Sequence, residues 1–102
     1  MPSVALTIAP EHPAFAGHFP GRPLLPGVAL LAEVLELVLA DPPLAALVGV
    51  APRIGAAKFL APVRPGAQLT ITLSGSPRGL RFEVREGARL AASGRFDAPG
   101  TG

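Results

Sequence analysis

Hydrophobic residues recur in two patterns along this chain, one typical of a helix and one typical of strands. Across residues 28–40 no proline or glycine interrupts a run of strong helix formers, which predicts one long helix. Apolar side chains cover most of its circumference, and Ala32, Glu33 and Glu36 share the remaining arc. A helix this apolar is expected to be buried on most sides, with the small and acidic arc facing a cleft or a partner.

The segments on either side of the helix are rich in strand formers, and several alternate apolar and polar residues with period two. Residues 4–8 predict a first strand, which Pro10 ends. Four more predicted strands follow the helix, separated by turns rich in glycine and proline: residues 50–60, 68–73, 79–85 and 89–97. Within the first of these four, Pro52 and Gly55 indicate a bend or a bulge.

Two connecting segments are also interpretable. Asp41-Pro42-Pro43 ends the long helix, because a residue before proline avoids the helical region. Residues 44–48 are compatible with either a short helical turn or a covering loop, and residues 11–26 are predicted to be loop.

This order of elements predicts an α+β domain in which an antiparallel sheet packs against one long helix. The chain has 102 residues, enough for one domain, which we place at residues 1–97 with a flexible tail at 98–102. Hydrophobic residues make up 49% of the sequence. So short a chain covers an apolar helix poorly by itself, and we therefore expect a homodimer.

Composition excludes several kinds of site. Because the sequence has no Cys, it can form neither a disulfide framework nor a thiolate zinc site. It has no Trp or Tyr, and its arginines are scattered at a net charge of only +2, which argues against a nucleic-acid partner. No glycine-rich nucleotide motif, metal-ligand spacing, signal peptide or membrane span is recognisable, so we expect a cytoplasmic protein without metal or cofactor.

Three motifs carry a resemblance to a known family. The segment His18-Phe19-Pro20-Gly21-x-Pro23-x-x-Pro26-Gly27-Val28 resembles the signature of the hotdog-fold 3-hydroxyacyl-[acyl-carrier-protein] dehydratases. Lys58-Phe59-x-x-Pro62-Val63-x-Pro65-Gly66 is similar to a strand-turn-strand of that family, and Ala91-x-Ser93-Gly94-x-Phe96 to its closing strand. The motifs occur in family order over nearly the whole chain. The short length resembles the small dehydratase-like branch associated with lipid or aryl-polyene gene clusters.

The resemblance implies a hotdog fold, in which an antiparallel sheet wraps around one long central helix. It also implies conversion of 3-hydroxyacyl thioesters of acyl carrier protein to trans-2-enoyl thioesters, in fatty-acid or polyene-type lipid biosynthesis. By similarity, His18 is the base and the backbone N–H of Gly27 holds the thioester carbonyl. Phe19, Leu25 and Val28 would line the acyl tunnel.

One catalytic position departs from the family pattern. The family has a Glu or Asp fourteen residues after the histidine, and here that position is Ala32. Glu36 or Glu33 can take over the role of the acid in an active dehydratase. Alternatively, the chain is a hotdog acyl-thioesterase, or a non-catalytic acyl-binding or assembly partner of an active dehydratase.

The remaining expectations concern partners and a second histidine. The implied partners are acyl carrier protein or a CoA thioester, together with a second copy of the chain in a homodimer with composite sites or in a higher oligomer. Arg22, Lys58 and Arg64 are candidate contacts for a phosphopantetheine or a carrier protein, and each is equally compatible with a solvated charge. His12, beside Pro13, is interpreted as a loop-packing residue rather than a proton relay.

Overall fold

The computed structural model describes residues 3–15 and 25–99. Five strands and two α-helices make up this part of the chain, and a 3₁₀ turn at Pro13–Phe15 lies inside the segment predicted to be loop. The elements are β1 (Ser3–Thr7), α1 (Gly27–Leu39), α2 (Pro42–Val48), β2 (Arg53–Phe59), β3 (Gln68–Ser76), β4 (Gly79–Glu86) and β5 (Arg89–Asp97). The predicted α+β class is confirmed, and each predicted strand has its counterpart.

Helix α2 follows α1 directly, at the position 41–43 where the long helix was predicted to end. Helix α1 begins one residue earlier than predicted, directly after Pro26. Asp41 then caps α2, because its Oδ1 accepts a hydrogen bond from the Leu44 N–H at 3.4 Å and prolines occupy the first positions of the helix. Residues 44–48 are therefore helical. In the described ranges, neither helix is long and apolar enough to cross a membrane.

The sheet is antiparallel throughout, with the strand order β1-β3-β4-β5-β2. Strands β3, β4 and β5 form the predicted meander, because short turns connect them in sequence. The first strand joins β3 at one edge, and the strand that follows the helices joins β5 at the other. Strand β2 therefore has one edge that no other described strand of the chain pairs with.

The predicted bulge in β2 is confirmed and decides which residues share a face of the sheet. The register against β5 shifts between Ile54 and Ala56, at Gly55. Beyond the shift, Phe59 pairs with the buried residue Ala92, on the same face as α1, and Lys58 pairs with Ser93 on the opposite face. We call these two surfaces the inner and the outer face of the sheet.

The hydrophobic core lies between the inner face and one stripe of α1. Leu30, Val34 and Val38 are the buried residues of the helix, and they join the buried residues of the sheet in one cluster. The exposed positions of α1 share one stripe and are Val28, Ala32, Glu36 and Leu39, while the other nine positions are buried or half-buried. The helix is therefore covered on most sides, as expected, but its exposed stripe includes two large apolar side chains, Val28 at 76% and Leu39 at 48% exposure.

Ordered contacts near the C-terminus extend past residue 97. The Ala98 N–H donates a hydrogen bond to the Arg78 carbonyl at 2.8 Å, so ordered contacts continue one residue past the predicted end of the domain. Residues 100–102 lie outside the described part of the chain.

Truncation of a side chain on the inner face is expected to destabilise the fold strongly. Leu73 is fully buried, and Leu73→Ala should lower the free energy of unfolding by about 2–5 kcal/mol through lost burial and a cavity. The matched control is Thr70→Ala, on the exposed outer face of the same strand, with an expected change within about 0.5 kcal/mol. Denaturant unfolding measures both, and similar losses would contradict this assignment of faces.

Candidate functional site

The N-terminus of α1 presents a backbone amide that its own helix does not use. Gly27 is the first helical residue, and the first amides of a helix have no intrahelical acceptor. The Pro26 carbonyl accepts from Ala29 and Leu30 further along. Among the described residues, no hydrogen-bond acceptor faces the Gly27 N–H. This amide also sits at the positive end of the helix dipole and can therefore bind a carbonyl oxygen or an oxyanion.

The Phe59 ring, at the end of β2, lies directly against Gly27. A Cβ atom added at Gly27 would stand 2.7 Å from the ring, which is closer than real side chains approach. A side chain at position 27 would therefore require the Phe59 ring to move, because the ring occupies the space of that side chain. Gly27 and Phe59 belong to the two longest motifs of the sequence. Their contact therefore brings together two segments that most of α1 and all of α2 separate along the chain.

A cavity of about 350 Å³ opens at this contact. Residues 25–27 and 30 form one wall and residues 59–63 form the other. A hydrogen bond from the Leu25 N–H to the Val63 carbonyl, 2.7 Å long, fixes the two walls to each other. A largely apolar cleft with one oriented polar group is the usual form of a small-molecule site.

The predicted binding residues are placed unequally around this cavity. Leu25 and Gly27 line it. Val28 does not line it in the single chain, because its side chain points outward from α1. His18, Phe19 and Arg22 lie outside the described residues, and their roles stay predictions.

Glu33 is held by a histidine that precedes the loop. His12 Nε2 lies 2.7 Å from Glu33 Oε1, and both side chains are 22% exposed. The Ala14 N–H donates to His12 Nδ1 at 3.0 Å, so Nδ1 carries no proton and Nε2–H is the donor to the carboxylate. The Glu33 carboxylate therefore accepts a hydrogen bond that connects the segment before the 3₁₀ turn to α1.

His12 packs against a neighbouring aromatic ring and also has a partner that we did not predict. Its ring meets Phe15 edge to face, with centroids 6.1 Å apart. Glu33 follows His12 by twenty-one residues, and no local pattern connects positions so far apart. The one sequence signal is Pro13, which stabilises the turn that directs the Ala14 amide at the ring.

Glu36 is the more accessible of the two candidate acids. It is exposed on the outward side of α1, as is Ala32, one helical turn away. Glu36 has no ion-pair partner within residues 3–15 and 25–99. A water molecule or a substrate reaching this side of the helix therefore meets Glu36 more readily than Glu33.

The family model described as ApeI-like, ApeI dehydratase, matches residues 2–95. The chain belongs to the ApeI-like dehydratase family. The match includes both walls of the cavity and the Gly27 amide, so this cavity is the candidate active site of a family member.

Individual relatives agree with the family assignment. The 3-hydroxyacyl-[acyl-carrier-protein] dehydratase FabZ of Aliarcobacter butzleri is 36% identical over 105 aligned residues, which cover 89% of this chain and 71% of that protein. FabZ of Symbiobacterium thermophilum is 37% identical over 68 residues, or 63% of this chain. The alignment spans only 48% of the Symbiobacterium protein, about half its length.

A solved structure confirms the hotdog fold. The dehydratase heterocomplex ApeI:P from Xenorhabdus doucetiae contains a chain that superposes with a TM-score of 0.74 at 27% identity. The superposition covers 93% of this chain and 83% of the other. In this member of the ApeI-like family, α1 lies against one face of the sheet.

The two described candidates for carrier contacts lie on different surfaces of this family member. Arg64 is exposed, next to Val63 in the cavity wall. Lys58 is exposed on the outer face, on the far side of the sheet from the Gly27 amide. The structure therefore places Arg64, but not Lys58, beside the candidate active site.

The His12–Glu33 pair is expected to contribute measurable coupling energy. His12→Ala and Glu33→Ala should each destabilise the chain by about 1–2 kcal/mol, because each leaves a half-buried polar partner behind. The double variant should lose less than the sum of the two. A double-mutant cycle by chemical denaturation measures the difference, and additive losses would mean that the pair contributes no coupling.

Proposed function

We propose that this chain is a 3-hydroxyacyl-thioester dehydratase acting on thioesters of acyl carrier protein or CoA, with the thioester carbonyl at the Gly27 amide. The observation that carries the proposal is the Gly27 N–H at the mouth of an apolar cavity, in a chain that the family model matches over residues 2–95. That placement suits a substrate with one polar carbonyl and an apolar tail.

The reaction needs three groups. A base takes a proton from the carbon next to the thioester carbonyl, and negative charge then develops on the carbonyl oxygen. The Gly27 amide and the helix dipole stabilise this charge. The electron pair forms the carbon–carbon double bond as the hydroxyl leaves the β carbon, and an acid supplies the proton with which it departs as water.

We assign the base to His18 by similarity to the family, because histidine exchanges protons near neutral pH. We assign the acid to Glu36 rather than Glu33, because Glu33 is engaged by His12 whereas Glu36 is exposed. Glu36 acts directly or through a water molecule, since it lies one turn beyond the usual position at Ala32.

Variants of the proposed base and acid separate these roles in the reverse reaction, hydration of crotonyl-CoA. His18→Ala should abolish turnover, and Glu36→Gln should lower kcat/KM by about 10²–10⁴-fold, the usual contribution of acid–base catalysis. Glu33→Gln should lower it less, because it perturbs a contact with His12 only. Loss of the enoyl absorbance in the ultraviolet measures all three.

Glu86→Gln is the control, since Glu86 pairs with Arg89 at 2.8 Å at the hairpin end of β4, away from the cavity. It should keep normal turnover. Normal turnover in His18→Ala would refute the mechanism, and a larger effect in Glu33→Gln than in Glu36→Gln would move the acid to Glu33.

A second candidate function is that of a non-catalytic partner of an active dehydratase. Ala32 at the usual acid position favours it, and so does the similarity to a chain of the dehydratase heterocomplex ApeI:P. The same assay distinguishes the two functions. A folded protein without hydration activity, which co-purifies with an active dehydratase, would support the partner role. Release of free thiol from acyl-CoA would instead support a thioesterase.

We also propose that the chain forms a homodimer through the surfaces that its own sheet leaves open. Val28 and Leu39 are large, apolar and exposed on the outward side of α1. Strand β2 offers an unpaired edge in the single chain, and Ile54 and Phe59 on it are exposed as well. Exposed apolar surface beside an open strand edge favours pairing with another chain. Ala32 and Glu36, on the same side of α1, would then face the partner's site.

Introducing two charged residues on this surface should prevent formation of the dimer. The double variant Val28→Glu and Leu39→Glu is expected to halve the molar mass measured by light scattering after size exclusion, and to lose hydration activity with it. The control, Ala9→Glu with Ala88→Glu, adds the same charge at exposed positions elsewhere and should keep the native mass. An unchanged mass in the first variant would exclude this interface.

A further inference from the structure

A basic groove lies on the outer face of the sheet. It encloses about 430 Å³ between strands β2, β4 and β5 and the turn that precedes β4. Lys58, Arg78, Arg81 and Arg95 supply its charge, and every other lining residue is Ala, Gly or Ser. We call this site the outer-face groove. Its lining lies on the opposite side of the sheet from the Gly27 amide.

Two arginines in the groove stand directly opposite each other. Arg81 on β4 pairs in register with Arg95 on β5, and side chains at such positions have Cβ atoms about 4.5–5.5 Å apart. Like charges in this arrangement destabilise a sheet. Folding does not require the pair, because a solvent-facing position on the outer face accepts neutral polar residues equally well.

The described carboxylates leave most of this charge without a partner. Asp97 Oδ1 accepts from Arg95 Nε at 3.0 Å. Glu83, the nearest carboxylate along β4, contacts Arg85 at 3.5 Å. Within residues 3–15 and 25–99, no carboxylate lies within 4.0 Å of the charged nitrogens of Lys58, Arg78 or Arg81. The groove therefore concentrates positive charge in a concave site.

We propose that the outer-face groove binds a small molecule that carries two or more phosphate groups. Arginine guanidinium groups match phosphate oxygens in pairs, and they do so more strongly than isolated ammonium groups. Two arginines side by side, with a third at the turn and a lysine on the neighbouring strand, suit adjacent phosphates better than a single one. The Ser93 hydroxyl provides a further donor among the small lining residues.

The shape and lining of the groove argue for a small ligand. Its volume falls in the range of about 300–1,000 Å³ that small-molecule sites occupy, whereas a stable protein partner needs about 800 Å² of surface on each side. Among the described residues that line the groove, none is an aromatic residue on which nucleic-acid bases would stack. None of these described lining residues is a large apolar residue that would insert into a membrane.

This binding site is independent of the proposed dehydratase activity. The inner-face cavity holds the thioester carbonyl, and the outer-face groove holds phosphates, with the sheet between them. Loss of one function therefore leaves the other measurable in the same protein.

The direct test is calorimetric titration of the full chain with inorganic pyrophosphate at low ionic strength, alongside thermal unfolding with and without this ligand. Pyrophosphate should bind and raise the melting temperature, since a ligand that binds only the native state stabilises it. Orthophosphate at matched ionic strength should bind at least tenfold more weakly. No binding of pyrophosphate, or equal binding of the two anions, would overturn the proposal.

Substitution of Arg81 makes the test specific. Arg81→Gln removes the like-charge pair, so the ligand-free variant should melt at the same temperature or higher. It should also weaken pyrophosphate binding at least tenfold. A fall in the melting temperature of the ligand-free variant would contradict the argument from repulsion.

Arg89→Gln is the matched control. Arg89 is exposed on β5, outside the groove, where it contacts Glu86, and its substitution changes the net charge by the same amount. It should leave pyrophosphate affinity within about twofold of the parent. An equal loss of pyrophosphate affinity in Arg81→Gln and Arg89→Gln would mean that the ligand is attracted by the net charge of the protein and does not bind at the groove. A short poly-glutamate peptide that binds more tightly than pyrophosphate at matched ionic strength would also overturn the proposal.

Discussion

The contact between the backbone of Gly27 and the ring of Phe59 determines where the candidate active site forms. The ring occupies the space that a side chain at position 27 would take, and glycine there lets the start of α1 approach the end of β2 closely. That approach leaves the Gly27 amide at the mouth of the cavity, beside the segment 59–63. Without it, the helix N-terminus would still carry its dipole but would have no apolar wall on which a substrate tail could lie.

The two faces of the sheet carry different chemistry because strand residues alternate. The inner face buries apolar side chains against α1, and its end at β2 forms the cavity. The outer face bears the charged groove, with Arg81 and Arg95 in register. The Gly55 bulge links both arrangements, since the shift in register aims Phe59 inward and Lys58 outward. The bulge in β2 thus decides which side chains of this strand belong to the cavity and which belong to the outer-face groove.

Most of the fold was predictable, and part of the site was not. Uninterrupted helix formers fixed α1 to within one residue at each end, and the meander followed from alternation and turn residues. The short α2 was ambiguous because seven residues carry too little periodicity to distinguish a helix from a loop. The exposure of Val28 and Leu39 was not predicted, because the apolar content of a helix does not say whether its own sheet or another chain covers a given side chain.

By itself the sequence determined the fold class, the loop-to-helix motif and the absence of a carboxylate at position 32, because these depend on local spacing and residue type. Tertiary structure alone decided that Phe59 meets Gly27, that Glu33 is engaged by His12 while Glu36 is exposed, and that Arg81 faces Arg95. These contacts join residues far apart in the chain. Their geometry depends on strand register and helix placement, which the packing of the whole domain sets and no local pattern encodes.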